Sequence, residues 1–392
     1  MQYDFDKLPE RWATECEKWH SYPENVLPMW VADMDFVSPE PVVQALLNRV
    51  EHSVYGYPRG LYGELDTMTD IRSAIIAWLD GHYHWRIEPE DLIFVPGVVT
   101  GFNLACHMME APKEGVLIQP PVYPPVLNAA QKTGKLDQQA PLAQSAAGAY
   151  SLDWDRLDAS IDAQTGMLLL CNPHNPVGRV FNQNELEQLA EMCLRHEMLI
   201  CSDEIHCDLV YSGHQHLPIA SLAPEIAQHT ITLMAPSKTF NLAGLKFSFA
   251  IIQNPGLRKT YWNSSKGLVG WTNLFGRVAA QAAYEDGQEW LTQLLVYLEA
   301  NRDFLSNFVE NKLPGVSMVK PEGTYLAWLD CRDTGLNDPQ KFFLENAKVA
   351  FNDGVNFGQG GQGFVRLNFG CPRAMLEEAL ERMRKALTER NT

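Results

Sequence analysis

Five short apolar runs follow one another through the middle of this chain, and they constrain its fold more than any other feature. They are Leu92-Ile93-Phe94-Val95, Val116-Leu117-Ile118, Met167-Leu168-Leu169-Leu170-Cys171, Met198-Leu199-Ile200-Cys201 and Ile231-Thr232-Leu233-Met234. None alternates apolar with polar residues, so each reads as a strand buried on both faces. Helical segments lie between them. After Asn182, for example, Glu185 completes a capping box and Leu186, Leu189, Ala190 and Cys193 form one apolar stripe. Strand and helix in alternation imply an α/β fold, with a mostly parallel sheet covered by helices. In such a sheet the strands' carboxyl ends share one edge, and ligands bind there.

The flanks read differently. Residues 1–45 hold Pro23, Pro28 and Pro39 without clear periodicity and are expected to be an arm packed on the body of the protein. Helices are expected over 41–51 and 69–79, with a glycine and proline loop at 55–60 between them. A long helical stretch over 274–312 breaks near Gly287 and leads out of the sheet domain. Beyond Pro314 come separated strands and a last helix at 374–387, an α+β module. The boundaries drawn are 1–45 for the arm, 46–290 for the large domain and 291–392 for the small one. Residues 354–363 contain five glycines and are expected to form a mobile loop.

Charge narrows the function. The chain carries 31 basic and 48 acidic residues, net −17, with no cluster of lysine and arginine, so no nucleic-acid footprint is expected. No apolar run approaches the roughly 20 residues of a membrane span, and the first residues lack a signal-peptide pattern, so a cytoplasmic protein is expected. The eight cysteines lack C-x-x-C spacing and are read as reduced core thiols. The eleven histidines show no metal-ligand pattern; His214 and His216 flank a polar loop, and no metal is expected.

The chemistry sits where the strands end. Directly after the run ending at Met234 stands Ala235-Pro236-Ser237-Lys238-Thr239-Phe240-Asn241. An ε-amine there can form an imine with an aldehyde cofactor while the neighbouring hydroxyl holds that cofactor's phosphate, a combination that describes pyridoxal 5'-phosphate (PLP). Upstream, Ser202-Asp203-Glu204-Ile205-His206 closes another strand. A buried carboxylate such as Asp203 favours the protonated ring nitrogen that makes PLP an electron acceptor. Before it, Asn172-Pro173-His174-Asn175-Pro176-Val177-Gly178 is a rigid turn presenting Asn175 to the ring's phenolic oxygen. Val95-Pro96-Gly97-Val98-Val99 sets a helix N-terminus after a strand, where Gly97, Val98 and Val99 can offer N–H groups to a phosphate.

These motifs, in this order, resemble the fold-type I PLP-dependent enzymes of the aminotransferase class I/II superfamily. With His206 and with Ala32-Asp33-Met34-Asp35-Phe36 near the N-terminus, the likeness narrows to the MalY/PatB group of cysteine-sulfur β-lyases, the cystathionine β-lyases, and runs nearly end to end. The resemblance implies a PLP-dependent transferase-like fold in which the arm joins the small domain. It implies that Tyr123 stacks on the cofactor and reaches the substrate, and that Arg366 holds the substrate's α-carboxylate, with Arg373 as competitor. It also places Lys246 where many relatives set an arginine against the phosphate. Tyr57 matches a tyrosine that relatives lend across a homodimer interface. Two departures stand out. His206 replaces a tyrosine common in the wider class and would titrate near neutrality, and Ala235 lacks a hydroxyl common three residues before the lysine.

The reaction expected is elimination: Lys238 removes the Cα proton of a sulfur-containing amino acid, a thiol leaves Cβ, and pyruvate and ammonia follow. The same residues would serve an aminotransferase, so that alternative stays open at this point. So does a PLP-binding regulatory protein acting through a protein partner.

Overall fold

The computed structural model describes residues 3–57 and 69–390. The last part of the loop expected at 55–60, Pro58 to Gly60, lies outside the described residues. The apolar runs form strands as expected: β1 (Leu92–Val95), β2 (Gly115–Ile118), β4 (Thr165–Cys171), β5 (Leu199–Asp203) and β6 (Thr230–Met234). Two more complete the sheet, β3 (Leu136–Gln139) and β7 (Ser248–Ile251). The seven strands lie in the order β1-β7-β6-β5-β4-β2-β3. Every residue of β2, β4, β6 and β7 is buried, as strands covered on both faces must be, whereas edge strand β3 carries the polar sequence Leu-Asp-Gln-Gln.

One strand departs from the parallel pattern. β7 runs antiparallel to both β1 and β6. The link from β6 holds only the turn Pro236–Thr239 and a 3₁₀ turn, Ala243–Leu245, too short to cross the sheet as a helix, so the chain returns beside its neighbour. The consequence is local. Because β7 runs backwards, the residues before it, Lys246 and Phe247, lie at the edge where the other strands end.

The helices expected at 41–51 and 69–79 are Glu40–Glu51 and Thr69–Tyr83. The long helical stretch divides at Gly287 into Leu274–Asp286 and Gln288–Lys312, so position 290 falls inside the second helix. The C-terminal part builds a second sheet from β8 (Ser317–Met318), β9 (Leu326–Asp330), β10 (Asn352–Asp353) and β11 (Phe364–Asn368), in the order β8-β9-β11-β10 and antiparallel throughout. The last helix, Arg373–Glu389, packs on it.

The arm joins this part. Leu27–Pro28 pairs in parallel with Val349–Ala350, and Phe5, Trp19, Met29, Met34 and Phe36 share one apolar core with the C-terminal helices. The expected mobile loop at 354–363 is packed instead. It opens as a 3₁₀ turn over Gly354–Phe357 with Phe357 buried, and a Cβ on Gly361 would lie 1.9 Å from the Gly354 carbonyl oxygen. Glycine there permits backbone to touch backbone. All eight cysteines are free, and all but Cys16 are buried. Among the described residues no helix is long and apolar enough to cross a membrane.

Candidate active site

The edge of the large sheet opens into a cavity of about 320 Å³. Every strand but edge strand β3 delivers one part of its wall. After β6, Ala235 caps the turn Pro236–Thr239, which turns Ser237 and Lys238 into the cavity. Lys238 Nζ donates to the carbonyl oxygen of Ala32 at 2.5 Å. Burial, reinforced by the Arg366 guanidinium, lowers the lysine's pKa to about 8. Such an amine sheds its proton far more readily than an ordinary lysine and is able to act as nucleophile and base.

Asp203 ends β5 with only 3% of its surface exposed. Its Oδ1 accepts the Ile205 N–H at 3.2 Å, and burial raises its pKa to about 7. A cation placed beside it would draw it back to the carboxylate form. After β4, the proline turn is pinned at several points: Asn172 Oδ1 accepts the Phe181 N–H, and His174 lies 2.9 Å from the Pro121 carbonyl. Asn175, 4% exposed, is thereby fixed against Tyr123, whose N–H donates to the Asn175 carbonyl at 3.0 Å. The Asn175 side-chain oxygen accepts from Arg366 Nη1 at 3.0 Å. Its amide nitrogen therefore remains as the donor, without an acceptor among the described residues.

After β1, Gly97 turns the chain into the helix Val98–His107 with φ +114°, a conformation that only glycine adopts without strain. The expectation that Gly97 donates to a phosphate needs correction. Its N–H is taken by the Ser248 hydroxyl at 3.0 Å and the Val95 carbonyl at 2.9 Å. The first-turn N–H groups of Val98, Val99 and Thr100 have no intrahelical partner, and all three residues line the cavity. Lys246, delivered by the backward run of β7, lines it too.

Arg366 lies just behind this wall, on β11. It is 3% exposed, and its Nη2 donates to the Trp30 carbonyl at 3.0 Å and to Asn352 Oδ1 at 2.6 Å, while its Nε is buried without a partner. Arg373 is elsewhere, bonded to Asn301 and stacked on Phe304. His206 lines the cavity with Nδ1 buried and unpartnered, its ring edge-on to Tyr325. The expectation that it titrates near neutrality fails. Burial beside Lys238 and Arg366 holds it well below the usual range, so the imidazole is neutral. Tyr57 stays outside the cavity, 78% exposed and edge-on to Trp271. His216, expected in a polar loop, is buried and pairs with Glu204 at 2.8 Å.

The sequence motifs include Ala32, whose carbonyl faces the lysine, without assigning it a role, and Thr100 falls outside them. They also include Asn241 without a role, yet that side chain grips the arm: its Oδ1 accepts the Met34 N–H at 3.0 Å and its Nδ2 donates to the Met34 and Phe36 carbonyls, each at 2.9 Å. The only signal was that 32–36 and 237–241 both belong to the quoted motifs.

The donor set matches a phosphorylated pyridine aldehyde: a buried amine of lowered pKa, a carboxylate with one oxygen uncommitted, an amide donor, free helix N-terminal N–H groups and a second lysine. The model for the aminotransferase class I and II family matches residues 26–383. The chain belongs to that family. Within it, the chain is 40% identical to cystathionine beta-lyase PatB of Bacillus subtilis over 98% of its own length and 100% of that protein's. Among solved structures, OvoB superposes with TM-score 0.92 at 42% identity, covering 98% of this chain and 99% of that one. The PLP-bound C-S lyase of Staphylococcus hominis, complexed with L-cycloserine, superposes with TM-score 0.91 at 33% identity, covering 99% and 98%. The curated aminotransferases of Thermococcus litoralis and Pyrococcus abyssi are more distant, at 25% and 26% identity, while a PLP-bound putative aminotransferase of Clostridium difficile superposes with TM-score 0.94 at 36% identity.

Proposed function

We propose that this protein is a PLP-dependent carbon–sulfur β-lyase that eliminates a thiol from cystathionine or a related cysteine S-conjugate, giving pyruvate, ammonia and the thiol. The observation that carries the PLP chemistry is the convergence of Lys238, Asp203 and Asn175 on one cavity, with Arg366 bonded directly behind Asn175, and the likeness to cystathionine beta-lyase PatB and the C-S lyase supports elimination. Lys238 would hold the cofactor covalently. Asp203 would sit at its ring nitrogen, the Asn175 amide at its phenolic oxygen, and Tyr123 on its face. Ser237, Lys246 and the N–H groups of Val98, Val99 and Thr100 would hold its phosphate, with Gly97 shaping that turn and neutral His206 filling the wall beside Asp203.

When bound, PLP supplies an electron sink for the negative charge that develops at Cα. The chain's own residues do the rest. The Lys238 amine, with its pKa near 8, takes the Cα proton and can return it to the departing sulfur; positioned acid–base catalysis of this kind is worth about 10²- to 10⁴-fold. Arg366 orients the substrate through its carboxylate, for which Nε is the donor left without a partner. The Asn175 bond to Arg366 ties the two ends of the substrate site into one rigid piece.

The finer assignments belong to the same proposal. The arm and residues 291–392 form the small domain around the large domain of 46–290. The protein is cytoplasmic and works as a homodimer, with Tyr57 crossing to the partner's phosphate site. Val43, Leu47, Val50, Val54, Tyr55 and Trp271 leave an apolar surface around Tyr57 that suits a second copy of this chain.

Incubation with cystathionine and PLP, without a keto-acid acceptor, tests the reaction. A lyase releases pyruvate continuously. No pyruvate, with at most one equivalent of cystathionine converted to its own keto acid, would instead identify an aminotransferase.

A further inference from the structure

The segment from Trp30 to Phe36, whose Ala32 lines the cavity, is irregular in conformation, yet all but one of its backbone carbonyls are bonded by side chains from elsewhere in the chain. Arg366 takes Trp30 O. Asn368 Nδ2, two residues further along β11, takes Val31 O at 2.5 Å and Asp33 O at 2.7 Å. The Tyr325 hydroxyl takes Ala32 O at 2.8 Å, and Asn241, on the turn that carries Lys238, takes Met34 O and Phe36 O. Irregular backbone has no ladder to satisfy it, so these side chains, helped by Lys18 at Asp33 O and Arg11 at Met34 O, fix where its carbonyls point.

One of those carbonyls matters for the lysine. Ala32 O accepts from both Tyr325 and Lys238 Nζ, so its direction is fixed from one side and used from the other. A free Lys238 amine arises in every turnover of the proposed reaction, whenever the substrate's own amine replaces it. We propose that Asn241, Tyr325 and Asn368 are positioning residues that hold the Ala32 carbonyl as the docking point of the released Lys238 amine. The inference rests on the proposed function and adds to it the group that keeps the base aimed once it is free. Asn368 and Arg366 lie on the same strand and Asn241 and Lys238 on the same turn, so one strap joins the carboxylate site to the base.

The charged groups facing Lys238 are Arg366, Asp33, Asp203 and Lys246, with neutral His206 beside them. The three positioning residues are uncharged. Their replacement therefore tests geometry and leaves the field at the lysine in place.

The experiment uses holoenzyme with two ligands read by the bound cofactor's absorbance. 2-Methylserine has an amine and a carboxylate but no Cα proton, so it displaces the lysine without turnover. 3-(Methylthio)propionate has only the carboxylate and leaves the lysine where it is. Tyr325→Phe removes one hydroxyl and keeps the ring. Asn241→Gly keeps the left-handed backbone at φ +59° and removes the grip, and Asn368→Ala removes the other. Each variant is expected to bind 2-methylserine about tenfold more weakly, the order of a lost hydrogen bond to a charged or buried partner, while affinity for 3-(methylthio)propionate stays unchanged. In Tyr325→Phe, unchanged affinity for 2-methylserine, or equal weakening for both ligands, overturns the inference even if the asparagine variants fail to fold. A parent enzyme whose absorbance does not respond to 2-methylserine overturns the proposed function and this inference together.

Discussion

The cavity has two walls built on different principles. The sheet-side wall, with Asn175, Asp203, Ser237 and Lys238, hangs from strand ends whose position follows from continuous backbone ladders, β4 to β5 and β5 to β6. The arm-side wall, from Trp30 to Phe36, has no ladder. Side chains hold it, and behind it lies a buried charge cluster: Lys18 Nζ bonds Asp35 Oδ2 at 2.7 Å with neither side chain exposed, and the Trp19 indole N–H and Arg11 complete the partners of Asp35. A ladder distributes its support over many equivalent bonds, whereas a cluster concentrates it in a few. Damage to the two walls should therefore look different.

The largest effect is expected on the arm side. Lys18→Met leaves Asp35 buried beside Arg11 at 3.5 Å, which is a poor substitute, and should lower unfolding free energy by about 3–5 kcal/mol in a urea titration. A loss below about 1 kcal/mol would mean that the arm is held by its apolar contacts alone, since that is the level of a surface pair.

Arg366 touches both walls, through Trp30 and Asn175, and gives the next largest effect. Arg366→Lys keeps a charge and loses the fork, so kcat/KM for cystathionine should fall about 10- to 100-fold, mostly through KM. A fall confined to kcat would move the carboxylate site elsewhere.

The smallest effect isolates the sheet side. In cofactor-free protein Lys238 has a pKa near 8 against its ordinary 10.5, because burial opposes its charge. The unfolded chain then binds more protons between those values, so stability rises with pH across that window and the lysine is a fixed cost below it. Lys238→Met should accordingly be more stable than the parent at pH 7 by about 1–3 kcal/mol, discounted for partial exposure, with the difference closing between pH 8 and 10.5. A difference that grows with pH would reverse the assigned sign.

The same contrast decides what could be read in advance. Lys238, Asp203 and Asn175 follow apolar runs within a few residues, so local sequence places them on one edge. Lys246 needed the direction of β7, which no periodicity encodes. Ala32 needed Tyr325, Asn241 and Asn368, all more than 200 residues away in the chain, and a hydrogen bond between distant residues leaves no local pattern. His206 shows a third case. Its place in the motif was legible, but its neutral state depends on burial beside Lys238 and Arg366, which only the folded chain supplies. The glycines at 354–363 suggested mobility, while in the fold they allow close packing.

The central claim is that the Lys238 amine carries the cofactor. Holoenzyme reduced with borohydride, digested and mapped should yield the pyridoxyl label on the peptide containing Lys238. A label on Lys246 or any other lysine, or none, would contradict the account.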